Sequence, residues 1–187
     1  MKKRFIVPLG VLAIVAVCTI IGLGATNAPP SDDSAGIEPT TQAEGVGWYS
    51  TAQIDAKWAE VTADYEEELP SGTSFPVTAP EFFHPQDGQD HLWEEGLTET
   101  IAARYWRCAW IDEALEQEEA GRDAAADAAL DAIDSYAGLP GVAGVVDVDV
   151  YDSTMRDAAE REGTDAHQEE FTLDCGREVY LPQEAQK

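Results

Sequence analysis

The stretch Asp90 to Leu115, DHLWEEGLTETIAARYWRCAWIDEAL, constrains the fold more than any other part of the chain. It holds Trp93, Trp106 and Trp110, a cysteine, and two of the eight basic residues that follow Lys2-Lys3-Arg4. At about 100° per residue, Trp93, Leu97, Ile101, Cys108, Ile111 and Leu115 share one stripe. Leu92, Ala103, Trp106, Trp110 and Ala114 form a second stripe, roughly opposite. The pattern predicts a central helix beginning near Asp87 or Asp90, either of which suits an N-cap with acids in the first turn. A helix apolar on two sides is sandwiched in a core or shows one side to a partner. The sandwich is the favoured expectation, and Trp106 and Trp110 are the candidate interaction surface if that side is open.

The N-terminus adds an address. Positive Met1-Lys2-Lys3-Arg4 precedes 21 uncharged residues, Phe5 to Ala25. A bilayer core needs about 20 apolar residues, whereas a secretory signal carries an apolar core of roughly 7–15. Thr26-Asn27-Ala28 offers a small-residue cleavage site, but Pro29 disfavours it. Residues 1–27 are therefore expected to be an uncleaved signal-anchor, with a cleaved signal peptide as the alternative. Either way the basic end stays inside, and the expected location is the cell membrane, single-pass, with the C-terminal domain outside. Secretion after cleavage is the second possibility. Cys18 has apolar sequence on both sides, which fits a thiol within the span rather than a lipid acceptor.

Charge excludes some partners. From Pro29 onward there are 37 acids against 8 bases. Such a surface repels nucleic acid and anionic headgroups, because binding phosphates needs Lys and Arg. Cationic partners, divalent cations or a salty milieu are compatible, and solubility alone is the plainest reason for the excess.

Residues 28–47 are expected to be a flexible acidic, Pro-rich linker, and residues 48–187 an exported helical domain. Ser50 and Gln53 fit a capping box flanked by Tyr49 and Ile54. Ile54, Trp58, Val61, Tyr65 and Leu69 then form one apolar face, which predicts a first helix running to Pro70. Residues 70–89 carry four prolines together with Phe75, Phe82 and Phe83, a long loop laid over the core. A third helix is expected from Arg122 to about Gly138, with Asp123, Asp127, Asp131 and Asp134 as a solvated stripe. Val146 to Val150 alternates like a strand but lacks an equally strong partner. It is read as an apolar turn into a fourth helix, Asp152 to about Glu162, followed by an extended C-terminal tail.

Cys108 and Cys175 remain outside the span. In an oxidising compartment such a pair bridges, closing a loop of about 67 residues and stabilising by roughly 4 kcal/mol. No histidine lies close in sequence to activate a nucleophilic thiol.

No catalytic signature is present: neither a G-x-S-x-G elbow, an H-E-x-x-H, a phosphate loop nor a dinucleotide fingerprint. Asp147-Val-Asp149-Val-Tyr151-Asp152 lacks the turn glycine of a calcium loop. The one constellation with ligand chemistry is His84, Asp87, Asp90, His91 and Glu94, imidazoles and carboxylates of the kind zinc takes. The simpler reading makes them N-capping aspartates and packed or surface histidines, with no cofactor.

The resulting expectation is an all-α ectodomain, a small bundle of three to four helices behind an N-terminal membrane segment. The favoured function is non-enzymatic cell-surface binding or scaffolding, with a protein partner or homodimer possible. A divalent-metal-binding envelope protein using residues 84–94 is the alternative, and an unrecognised hydrolase the second.

Overall fold

The computed structural model describes residues 40–41, 47–176 and 179–180. The expected membrane segment, Cys18 and most of the linker lie outside the described residues. No described helix is long and apolar enough to cross a membrane. The chain is mostly helical, with five α-helices and a small antiparallel sheet among the described residues.

Strand β1 (Thr40–Thr41) pairs with β2 (Gly47–Ser50), which pairs with β3 (Leu92–Glu94). Two sequence expectations are corrected here. The linker contributes a strand at Thr40–Thr41, and residues 92–94 are a strand rather than the first turn of the central helix. The register sets Tyr49 opposite Trp93, and the rings of Phe82, Phe83 and His91 pack around Trp93. Aromatic cross-strand pairing of this kind stabilises a short ladder. Gly96, at φ 92°, then turns the chain into the helix.

Helix α1 (Thr51–Ala63) starts where the capping box predicts, with the Ser50 amide donating to Gln53 Oε1 at 2.9 Å. Ile54 and Trp58 are fully buried. The helix ends at Ala63, well short of Pro70. Asp64 and Glu66 to Glu68 crowd carboxylates onto the next turn, and the Glu68 carbonyl accepts the indole N–H of Trp106 at 2.8 Å and of Trp110 at 3.1 Å. Tyr65 and Leu69 still pack against the core.

The Pro- and Phe-rich loop that follows is fastened in the same way. Trp58 Nε1 donates to the Pro76 carbonyl at 2.8 Å, and Tyr105 Oη to the Ser74 carbonyl at 3.0 Å. A loop short of amides keeps its carbonyls, and core aromatics supply the donors that burial demands.

Helix α2 (Leu97–Glu119) is the hub. Every residue from Ile101 to Ala109 except Arg104 is buried, as are Ile111 and Ala114. Within the helix both predicted stripes are buried or half-buried, so it is sandwiched, whereas Leu92 and Trp93, counted with those stripes, belong to β3 and Leu92 is exposed. Helix α3 (Asp123–Ile133) lies along it through Ala126, Ala129 and Ile133, while Asp123, Asp127, Asp131 and Asp134 face solvent. Its predicted last turn is a 3-10 turn, Tyr136–Gly138.

Helix α4 spans Val148–Glu162, four residues earlier than expected. Asp147 caps it by accepting the Val150 amide at 3.1 Å, so the Val/Asp alternation is a helix start and not a strand. The tail is not extended: α5 (Ala166–Asp174) forms behind Asp165, whose carboxylate accepts the His167 amide at 2.8 Å. Cys108 of α2 and Cys175, at the end of α5, are joined by a disulfide with Cα atoms 5.5 Å apart.

Candidate functional site

The Trp106/Trp110 stripe is not an open face. Trp106 is 1% exposed and Trp110 is half-buried. The two rings meet edge to face, and both indole N–H groups are held by Glu68. The chain itself covers this side of α2, because the segment after α1 folds back over it.

Of the five candidate ligands at 84–94, only Asp87 and His91 are brought together. His84 Nε2 lies 3.0 Å from Asp55 Oδ1, which also accepts the Ala79 amide at 2.9 Å, so this histidine latches the loop onto α1. His91 Nε2 lies 3.0 Å from Asp87 Oδ2 and its ring stacks on Trp93. The Gln89 amide and His91 hold Asp87 below the usual carboxylate range. Asp90 and Glu94 are exposed. Among the described residues, no group of three or more His, Cys, Asp or Glu side chains is arranged to hold a metal ion.

Two polar constellations appear that the sequence reading did not single out. The first locks α4 and α5 to α2. Arg107 is 5% exposed and Glu170 1%. Arg107 Nε donates to Glu170 Oε1 at 2.7 Å and its Nη2 to Glu170 Oε2 at 3.0 Å, a bidentate pair, while Nη2 also reaches Asp152 Oδ1 at 2.8 Å. The guanidinium lies over the Tyr136 ring, 4.8 Å from its centroid. Tyr151 Oη accepts from Arg104 Nη1 and has Glu170 Oε1 at 3.0 Å and Asp174 Oδ2 at 2.8 Å as acceptors for its proton. Burial alone would lower the arginine pKa values. For Arg107 the Glu170 bond and the Glu170 and Asp152 charges outweigh it, and for Arg104 the neighbouring tyrosines and Asp174 do so, so both stay above the ordinary value. Both guanidinium groups in this cluster are engaged by carboxylates, a phenol and aromatic rings, which fastens α4 and α5 to α2.

The second is a cleft of about 590 Å³ where the end of α1, the start of α2 and residues 135–140 meet. That size is ordinary for small-ligand sites. Five carboxylates line it, Glu60, Asp64, Glu66, Glu67 and Glu99, against one base, Lys57. Val61, Leu139 and Pro140 give it apolar wall. Lys57 Nζ pairs with Glu60 Oε1 at 3.0 Å and faces Glu99 Oε1 at 3.6 Å, with the side chain 13% exposed. Burial lowers its pKa, but the Glu60 bond and the Glu99 charge outweigh that and hold the ammonium charged. Glu99 Oε2 and Tyr65 Oη are shut off from solvent without a hydrogen-bond partner. Leaving such atoms unmet costs roughly 1–3 kcal/mol each. Burial pushes the Tyr65 phenol well above its usual pKa, so it stays protonated.

Local backbone builds the far wall. At Gly141, φ 77°, an added Cβ would lie 2.3 Å from the Thr100 amide nitrogen. Thr100 Oγ1 donates to the Gly141 carbonyl at 2.7 Å, clamping this loop onto the first turn of α2 beside Glu99. One signal for the cleft was available: Lys57 is the only lysine between Lys3 and Lys187.

A scan against protein families and searches of curated proteins and of solved structures returned no match.

Proposed function

We propose that this chain is a non-enzymatic, exported domain, tethered to the membrane through residues 1–27, that binds a positively charged partner at the cell surface. The observation that carries the reading is the cleft beside Lys57, with five carboxylates, an apolar wall and a lysine already paired within it. The strongly acidic ectodomain supports it, since complementary charge raises encounter rates and excludes acidic competitors. We read α1, α2 and α3 as the bundle proper, with α4 and α5 as a hairpin fastened to its side. The fastening by disulfide and buried ion pair suits a rigid scaffold in an oxidising compartment.

The test is equilibrium binding of the full-length chain to labelled basic and acidic peptides of equal length, read by anisotropy. The reading expects the basic peptide alone to bind, with affinity falling as salt rises from roughly 0.05 to 0.5 M. Equal binding of both peptides, or of neither at low salt, refutes it. Membrane fractionation with and without residues 1–27 tests the tether: the full chain should sediment with membranes and the shortened one should not.

A further inference from the structure

We infer that a second cleft, between α3, α4 and the buried end of Arg107, binds a free α-amino acid with an apolar side chain. This goes beyond the cation-binding reading and does not depend on the cleft beside Lys57. It starts from one nitrogen. Arg107 is 5% exposed and lines a cleft of about 390 Å³. Its Nε and Nη2 are taken up by Glu170 and Asp152. Nη1 makes no hydrogen bond among the described residues, yet it is not one of the unbonded atoms closed off from solvent. Nη1 is thus what this residue offers the cleft: a charged donor with its N–H groups unused. An unmet charged donor in a nearly dry place is costly, and a ligand that accepts from it removes that cost.

The rest of the lining selects the ligand. Asp131, Asp134 and Asp149 are exposed around the cleft and form no ion pair among the described residues. A simple anion has to pass these carboxylates to reach Arg107, and a simple cation that passes them meets the guanidinium. A ligand carrying both charges, carboxylate inward and ammonium outward, satisfies each group in turn. Asp152 sets how far apart those charges lie. It lines the same cleft and gives Oδ1 to Arg107 Nη2 at 2.8 Å, while Oδ2 makes no hydrogen bond. Donor and acceptor therefore sit on touching groups, which suits the adjacent charges of an α-amino acid and not the separated ends of a longer chain. Leu130, Ile133, Ala137 and Val148 supply apolar wall for its side chain.

Isothermal titration of the full-length chain in detergent micelles tests this with L-leucine, N-acetyl-leucine, leucine amide and 6-aminohexanoic acid. Leucine should bind saturably. N-acetyl-leucine lacks the ammonium, leucine amide lacks the carboxylate, and 6-aminohexanoic acid separates the two charges. Each should bind about tenfold more weakly or worse, and these arms need no variant to fold. Ala137→Phe, which fills the cleft from an exposed position, should abolish leucine binding. Asp157→Asn, exposed on α4 outside the lining, should leave it unchanged. Circular dichroism confirms that both variants are folded. If leucine gives no heat of binding, the inference fails, and the peptide test of cation binding is untouched by that result. If leucine amide binds as well as leucine, no carboxylate is being read by Arg107 and the inference is overturned. Undiminished leucine binding by folded Ala137→Phe places the site elsewhere and overturns it too.

Discussion

Arg107 shows most sharply how much rests on one residue. Its bidentate pair with Glu170 lies in a nearly dry space, and removing one partner strands the other charge. Arg107→Ala should destabilise the fold by about 3–5 kcal/mol, whereas Arg107→Met with Glu170→Leu should restore most of that, because a packed apolar pair needs no ion pairing. Urea unfolding of both variants checks the contrast. The tyrosines give a pH signature. Burial raises the pKa values of Tyr49, Tyr65, Tyr136, Tyr151 and Tyr180 above the ordinary phenol value. A group raised on folding contributes stability that is fully present below its unfolded pKa and lost as pH rises toward the folded value. Stability should therefore hold up to about pH 10 and then fall. Phenolate absorbance should appear together with loss of helical dichroism; phenols titrating near pH 10 in an intact fold would contradict it. Little of this was legible beforehand, because a buried arginine and a solvated one look alike in sequence.

At the scale of elements, legibility followed local signals. The start of α1 was readable because Ser50 and Gln53 interact within one turn, and the sandwiched α2 because its two stripes repeat over several turns. The end of α1 and the start of α2 were not readable. Both are decided by partners distant in sequence: the Glu68 carbonyl by Trp106 and Trp110, and Trp93 by Tyr49. The Val146–Val150 alternation was a true period of two whose meaning was reversed by the capping carboxylate of Asp147. The cleft, too, arises from distant segments, and its narrowest requirement is Gly141. Gly141→Ala sets a Cβ against the α2 backbone at a positive φ. It should cost about 2 kcal/mol or more, visible as a lower melting temperature, and should weaken binding of a basic peptide by displacing the wall formed by Leu139 and Pro140.

For the molecule as a whole, the C-terminal hairpin depends on two fastenings of different kinds. The disulfide closes 67 residues, worth roughly 4 kcal/mol by chain entropy, and the Arg107 cluster holds the same elements without covalent help. Replacing Cys108 and Cys175 together by Ser should lower stability by about that amount, with hydrogen exchange rising first in α4 and α5. Uniform exchange across all five helices would mean the hairpin is not a separable unit. The disulfide was predictable from cysteine count and inferred compartment. The cleft was not, since it needs the α1 end, the α2 start and residues 135–140 in one place.

The claim that matters most for function is where a cation lands. Amide spectra of the isotope-labelled full-length chain, titrated with a basic peptide, locate it directly. The account predicts saturable shifts confined to residues around Lys57, Tyr65, Glu99 and Ser135 to Leu139. Shifts spread along the exposed acids of α3, or absent from the cleft at saturation, would contradict it.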